Sequence, residues 1–193
     1  MARDRVWQLC ESDLAEALQA ALQIPDPWYR CQALAKVAWH TADRETFRAI
    51  INQAFDAAYL QVSPNRIVSV AAWPIHALAQ REDARLAPAV TKLRETIRVE
   101  PLPVRRADAL LLLFQAVFPS HEMRHIVLSD LVAACAPMNH WKLPYILRWA
   151  AVMLSGAEPE AAAWVIEFMP HGKNRRGAIR DIAAGLISPR EFF

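Results

Sequence analysis

The stretch Ile24-Pro-Asp-Pro-Trp-Tyr-Arg-Cys-Gln-Ala-Leu-Ala-Lys-Val-Ala38 decides the fold, because it joins a proline-containing turn, a basic residue and an apolar helix. Similar turns recur along the chain, and each is followed within two to five residues by a base and then by a helical apolar pattern. The intervals between their prolines are 37, 37, 36 and 33 residues, for Pro27, Pro64, Pro101, Pro137 and Pro170. A period in this range is typical of helical repeat arrays.

Composition favours an all-α domain. The chain has 193 residues, of which 54% are hydrophobic and 22% are charged, so it can bury a core. It contains only four glycines, whereas sheet proteins use glycine in hairpin turns and bulges. Alanine and leucine are frequent, and both favour helix.

Apolar residues at helical spacing lie on both sides of each turn, which predicts about ten helices in five antiparallel pairs. One pair cannot bury both of its faces, but a stack of pairs can. We therefore expect a right-handed α-α superhelix that forms one domain over residues 1–193. The predicted repeats are 11–41, 42–81, 82–118, 119–156 and 157–193.

The turn and the helix after it resemble the HEAT repeat. In that family an Asp lies in the turn between the paired helices, and an Arg opens the second helix ahead of an Ala-Leu pair; here these are Asp26, Arg30, Ala33 and Leu34. The resemblance implies an α-solenoid with a concave face and a binding or scaffold role. Looser matches in the later units are Pro64 with Arg66, Arg105 or Arg106 with Ala109 and Leu110, Lys142, and Arg175 or Arg176.

The expected function is non-catalytic binding of a protein or peptide partner. A net charge of +2 is too small to indicate a nucleic-acid partner by itself. Nucleic-acid binding is nevertheless the alternative, because bases recur in phase and could follow phosphates. HEAT-like alkylpurine DNA glycosylases use tryptophans and an Asp on a basic concave face, and Asp108 is the carboxylate that such chemistry would require here.

Candidate binding residues are the bases at the turns and the aromatic side chains beside them, since such aromatics stack on nucleobases or anchor peptides. The competing interpretation is that the bases and the turn carboxylates tie neighbouring repeats together, with Asp26 and Arg30 as the clearest example. The candidates are Trp28, Tyr29, Arg66, Arg105, Arg106, Trp141, Lys142, Lys173, Arg175 and Arg176.

The sequence His121-Glu-Met-Arg-His125 matches the H-E-x-x-H pattern, which can place two imidazoles on one helix face with a Glu as general base. Its context argues against a metal, because it opens a helix after Ser120 and carries Arg124. No third ligand stands at a protease-like distance, and Glu158 lies more than thirty residues on. We therefore expect no metal or cofactor, and a metal-dependent hydrolase at His121 and His125 is the third alternative.

The cysteines and the apolar segments predict the cellular compartment of the chain. Three widely spaced cysteines without a metal-binding or disulfide pattern indicate reduced thiols. There is neither a targeting segment nor an apolar run of membrane-spanning length, so we expect a cytoplasmic protein without a membrane partner. The aromatic pair Phe192 and Phe193 either folds back as a cap or is an exposed contact for a partner.

Overall fold

The computed structural model describes residues 2–186 and 192–193, and every regular element in these ranges is an α-helix. This confirms the all-α prediction. The first helix has no counterpart among the ten predicted ones, because its charged sequence lacks a clear apolar stripe. The eleven helices of the described residues are α1 (Ala2–Leu9), α2 (Leu14–Leu22), α3 (Pro27–His40), α4 (Arg44–Tyr59), α5 (Pro64–Gln80), α6 (Leu86–Arg98), α7 (Pro103–Val117), α8 (His121–Cys135), α9 (Lys142–Leu154), α10 (Pro159–Phe168) and α11 (Lys173–Ala183).

Local sequence explains where several helices begin. Proline occupies the first turn of α3, α5, α7 and α10, where its missing N–H has no intrahelical partner. Asp26 caps α3 by accepting a hydrogen bond from the backbone N–H of Trp28 at 2.8 Å. Asp43 caps α4 through the N–H of Thr46 at 2.7 Å. The carboxylate of Asp26 therefore stabilises the start of its own helix, and the expected tie between repeats through Asp26 and Arg30 is wrong for Asp26.

Each odd-numbered helix contacts the next odd-numbered helix, from α1 through α11. Each even-numbered helix packs against the two odd-numbered helices that flank it in the chain. We call the side of α3, α5, α7 and α9 that the even-numbered helices leave uncovered the odd-helix face. Pro74 lies inside α5, but the helix is continuous from Pro64 to Gln80.

Ion pairs connect helices that are two apart in the chain. Arg94 on α6 donates its Nε to Oδ2 of Asp130 on α8 at 2.5 Å. On the odd-numbered helices, Lys142 pairs with Asp108 and Arg148 pairs with Asp181. The partners lie 36, 34 and 33 positions apart, close to the period of the prolines.

The three thiols are free and buried. Burial raises the pKa of Cys31 and Cys10, and it raises the pKa of Cys135 to about 12, so these groups stay protonated near neutral pH. Among the described helices, none has the length and apolar character that crossing a bilayer requires.

Candidate functional site

Polar and aromatic residues form a stripe on α5 that faces away from the even-numbered helices. Asn65, Ser69, Trp73 and His76 follow one another at spacings of four, four and three, which places them on one side of a helix. The first two border a groove of about 450 Å³ between α5, α7 and α9. The groove is lined by Asn65, Ser69, Asp108, Leu111, Leu112, Gln115, Lys142, Tyr145 and Trp149.

The walls of this groove can bind both polar and aromatic groups. The ammonium group of Lys142 pairs with the carboxylate of Asp108 at one end. The side-chain amide oxygens of Asn65 and Gln115 are buried and accept no hydrogen bond from another described residue. At the α9 wall, the rings of Tyr145 and Trp149 meet edge to face with centroids 5.9 Å apart. Polar groups of this kind can fix the orientation of a ligand.

The second part of the stripe carries an aromatic platform, which we define as Trp39, Trp73 and His76. Phe192 stacks on the His76 ring with a centroid distance of 4.7 Å, and it meets Trp73 edge-on at 5.3 Å. Phe193 lies 5.0 Å from Trp39 and 5.6 Å from Trp73. Phe192 is only 2% exposed, so the chain's own aromatic pair covers the platform.

Burial sets the protonation state of the platform histidine. It lowers the pKa of His76, and the carbonyl of Ala116, 3.4 Å from Nδ1, opposes this only in part. The neutral ring is therefore favoured at neutral pH, which suits its stacking on Phe192. Lys36 lies beside the platform, with its ammonium 5.8 Å from the Phe193 centroid.

Three of the predicted binding residues meet near the start of α3. The guanidinium of Arg66 lies 5.2 Å from the Trp28 ring centroid, and its Nε donates to Gln61 at 3.0 Å. A surface pocket of about 280 Å³ is lined by Asp26, Trp28, Tyr29 and Arg66. The cation–π contact and the hydrogen bond with Gln61 hold Arg66 in place, so its charge is only partly directed to solvent.

Two other predicted bases make structural contacts. Arg106 donates to the backbone carbonyl of Glu100 at 2.5 and 3.2 Å, and Arg175 donates to that of Met169 at 3.4 Å. In both cases the acceptor lies six residues earlier, where the preceding helix has ended. Such contacts satisfy carbonyls that have no intrahelical partner. Each contact lies within one predicted unit, so these bases support their own turns and do not join neighbouring units.

Of the remaining predicted residues, one forms an ion pair and the others are exposed to solvent. Lys142 is held by Asp108 in the groove described above. Trp141 is 72% exposed and stacks on His140 with centroids 5.7 Å apart. Arg105, Lys173 and Arg176 are exposed. The structure therefore unites Trp28, Tyr29 and Arg66, whereas no contact joins the exposed bases to that pocket.

A cluster that can hold a metal lies at the start of α8. The His121 and His125 rings have centroids 4.5 Å apart, and Nε2 of His125 is 2.8 Å from Oε2 of Glu158. Nε2 of His121 is 4.0 Å from Oε1 of the same carboxylate. The three ligand atoms lie within 4.8 Å of one another. No third ligand stands at a protease-like distance in the sequence, but folding brings Glu158 to the two histidines.

The repeat period itself was the signal for this third residue. Glu158 follows His125 by 33 positions, the separation that also relates Asp181 to Arg148. In a stacked array, residues one period apart are neighbours in space.

Comparisons of the chain with protein-family models, with curated proteins and with solved structures find no match.

Proposed function

We propose that this chain is a non-catalytic binding protein, a HEAT-like α-solenoid that holds a peptide segment with adjacent aromatic side chains. In this proposal the odd-numbered helices line the concave face. Each of the five predicted repeats contains two of the helices α2–α11, which supports the repeat assignment. The ion pairs between residues about one period apart support it as well.

One observation carries the binding proposal: the aromatic platform already holds a pair of phenylalanine side chains. Phe192 and Phe193 are separated from Leu186, the residue described before them, by at most seven positions. Seven residue steps reach about 25 Å at full extension, so the pair returns to α3 and α5 from the opposite end of the chain. A site that accepts this segment in cis has the shape and chemistry to accept a similar segment from a partner.

The groove next to the platform extends the same surface. Its lining includes the polar side chains of Asn65, Ser69 and Gln115, which are of the type that hydrogen-bonds the backbone of an extended peptide. Tyr145 and Trp149 add a second aromatic wall. Aromatic anchors beside a few polar groups are typical of peptide-binding surfaces.

Nucleic-acid binding has less support. Arg106 and Arg175 donate to backbone carbonyls, and Lys142 is neutralised by Asp108, so three of the predicted bases are engaged within the protein. The same ion pair engages the carboxylate that glycosylase-like chemistry would require.

The test uses the full chain with Phe192→Ala and Phe193→Ala, which uncovers the platform. A labelled peptide of residues 188–193 is titrated by fluorescence anisotropy against this variant and against the natural sequence. We expect saturable binding to the uncovered variant and at least several-fold weaker binding to the natural chain, because its own segment competes at a high effective concentration. A peptide with both phenylalanines replaced by alanine should not bind.

Matched tryptophan variants locate the site. Trp39→Ala, made in the uncovered variant, should weaken binding of the peptide, because the Trp39 ring contacts Phe193. Trp164→Ala removes a 47% exposed tryptophan on α10, outside the odd-helix face, and should leave binding unchanged. No binding of the peptide, or equal effects of the two tryptophan variants, would contradict the proposal. Salt-sensitive binding of duplex DNA in its place would favour the nucleic-acid alternative.

A further inference from the structure

The side chains of His121, His125 and Glu158 form a cluster that the peptide-binding proposal does not use. His121 and His125 lie at positions i and i+4 of α8, so both imidazoles project from one face of the helix. Their side chains are 75% and 47% exposed, which leaves the ring nitrogens accessible to an ion from solvent. Two histidines at this spacing are a common pair of zinc ligands.

Glu158 contributes the third donor from a different part of the chain. It directly precedes α10, and its side chain is 14% exposed. Its Oε2 is within hydrogen-bond distance of His125 Nε2, and its Oε1 is 4.0 Å from His121 Nε2. Donors on a tetrahedral zinc ion lie about 3.3 Å apart when the bonds are about 2.0 Å long. The two observed separations from Glu158, 2.8 Å to His125 and 4.0 Å to His121, lie on either side of that value.

Arg124 fixes the orientation of the carboxylate. Its guanidinium pairs with Oε1 of Glu158, donates to the carbonyl of Phe118 at 2.6 Å and packs on the Phe118 ring at 4.7 Å. Although it is close to Arg124, Oε1 is buried and accepts no well-directed hydrogen bond. Polar partners behind a ligand hold it in position for a metal. The positive charge of Arg124 reduces the attraction for a cation, whereas imidazole nitrogens are favourable donors to zinc.

We propose that His121, His125 and Glu158 form a binding site for a divalent transition metal, with Zn²⁺ as the preferred ion. Imidazole nitrogen with one carboxylate oxygen suits zinc, whereas Ca²⁺ and Mg²⁺ prefer sites made only of oxygen. Three protein ligands leave the fourth position of a tetrahedral ion to water or to an anionic group. The metal joins the start of α8 to the turn before α10, and so links the fourth and fifth predicted repeats.

The test is isothermal titration of the full, untagged chain with ZnCl₂ after removal of metals with a chelator. We expect one equivalent of Zn²⁺ to bind and a rise in melting temperature on saturation. His121→Ala, His125→Ala and Glu158→Gln should each weaken Zn²⁺ binding at least about tenfold. His140→Ala and His171→Ala remove exposed histidines elsewhere and should leave the affinity unchanged.

A second measurement needs no variant, so it does not depend on whether a substituted chain folds. Titration with Co²⁺ should produce the visible absorption of a tetrahedral centre and saturate at one equivalent, and Zn²⁺ should displace it. Absence of stoichiometric binding would overturn the proposal. It would also be overturned if Glu158→Gln kept the natural affinity while the histidine variants lost it, since the histidines would then chelate the ion alone.

Discussion

Arg148 on α9 and Asp181 on α11 are joined by two hydrogen bonds to one carboxylate oxygen, and the Nε of Arg148 donates to Oδ2 at 2.8 Å. Asp181 is 5% exposed, although it belongs to a residue type that is rarely buried without a partner. Arg180, its neighbour in the chain, donates to the other oxygen at 3.3 Å. The contact between α9 and α11 therefore contains a carboxylate that depends on Arg148 for its stability.

Replacement of Asp181 should destabilise the protein in a pH-dependent way. The hydrogen bonds from Arg148, followed by those from Arg180, hold the pKa of Asp181 below its ordinary value of 3.8. At pH values between the folded-state pKa and 3.8, the unfolded chain binds more protons than the folded chain. This stabilisation is therefore complete only above about pH 5 and is lost as the pH falls through the folded-state pKa. We expect Asp181→Asn to lower the urea midpoint at pH 7, and to lower it less at pH 3. An equal effect at the two pH values would contradict this account.

Gly177 gives the Arg148 guanidinium room to reach Asp181. A Cβ at position 177 would lie 2.8 Å from Nη1 and 2.9 Å from Cζ of Arg148. Alanine is favoured over glycine inside a helix by about 1 kcal/mol. We expect Gly177→Ala to give less than this gain, or to destabilise, because Arg148 must move away from Asp181. The free energy of unfolding from urea titrations measures the effect.

A double-mutant cycle separates the steric effect from helix propensity. In an Arg148→Ala background the guanidinium is absent, and Gly177→Ala should then stabilise by about 1 kcal/mol. The coupling between the two positions should be at least about 0.5 kcal/mol. If the two substitutions are additive, the contact between position 177 and Arg148 has no energetic effect.

Protonation of His76 should destabilise the folded state. Burial lowers the pKa of His76 below its ordinary value of 6.5, so the unfolded chain binds more protons between the two pKa values. The free energy of unfolding therefore decreases as the pH falls below about 6.5. We expect His76→Asn to reduce this pH dependence, as measured by urea titrations at pH 7.5 and pH 5.

An exposed histidine provides the control for this measurement. His171→Asn makes the same substitution at an exposed position and controls for the change of side chain. His40 also has a pKa lowered by burial, so part of the pH dependence should remain in the His76 variant. A His76→Asn chain with the full natural pH dependence would show that His76 titrates as it does in the unfolded state.

Shortening a buried side chain of α7 should strongly destabilise the protein. Leu113 is fully buried, and Leu113→Ala should cost about 2–5 kcal/mol of unfolding free energy, from lost burial and from the cavity that remains. Val62 is 99% exposed, and Val62→Ala should change the stability by less than about 0.5 kcal/mol. Denaturant titrations of both variants check the contrast, and similar losses would argue against the packing of α7 described above.

Helix positions were predictable because their signals are local. Apolar residues at helical spacing act within a few positions. The structure forms α3 and α5 at the predicted turns, although Pro27 and Pro64 are the first residues of these helices and not part of the preceding turns. Contacts between residues that are far apart in the chain were not predictable from the spacing within a motif. Glu158 lies beside His125 because the chain folds the turn before α10 against the start of α8, and the motif of two histidines contains no information about that residue.

The sequence by itself determined that this chain is all-α, that its helices follow one another at a regular interval, and that its thiols are reduced. These properties follow from composition and from periodicities of three to four residues, which depend on local backbone geometry. Only the tertiary structure decided that Phe192 and Phe193 return to Trp73 and His76, and that Asp108 pairs with Lys142. Both contacts join residues 34 or more positions apart, so they depend on which helices pack together.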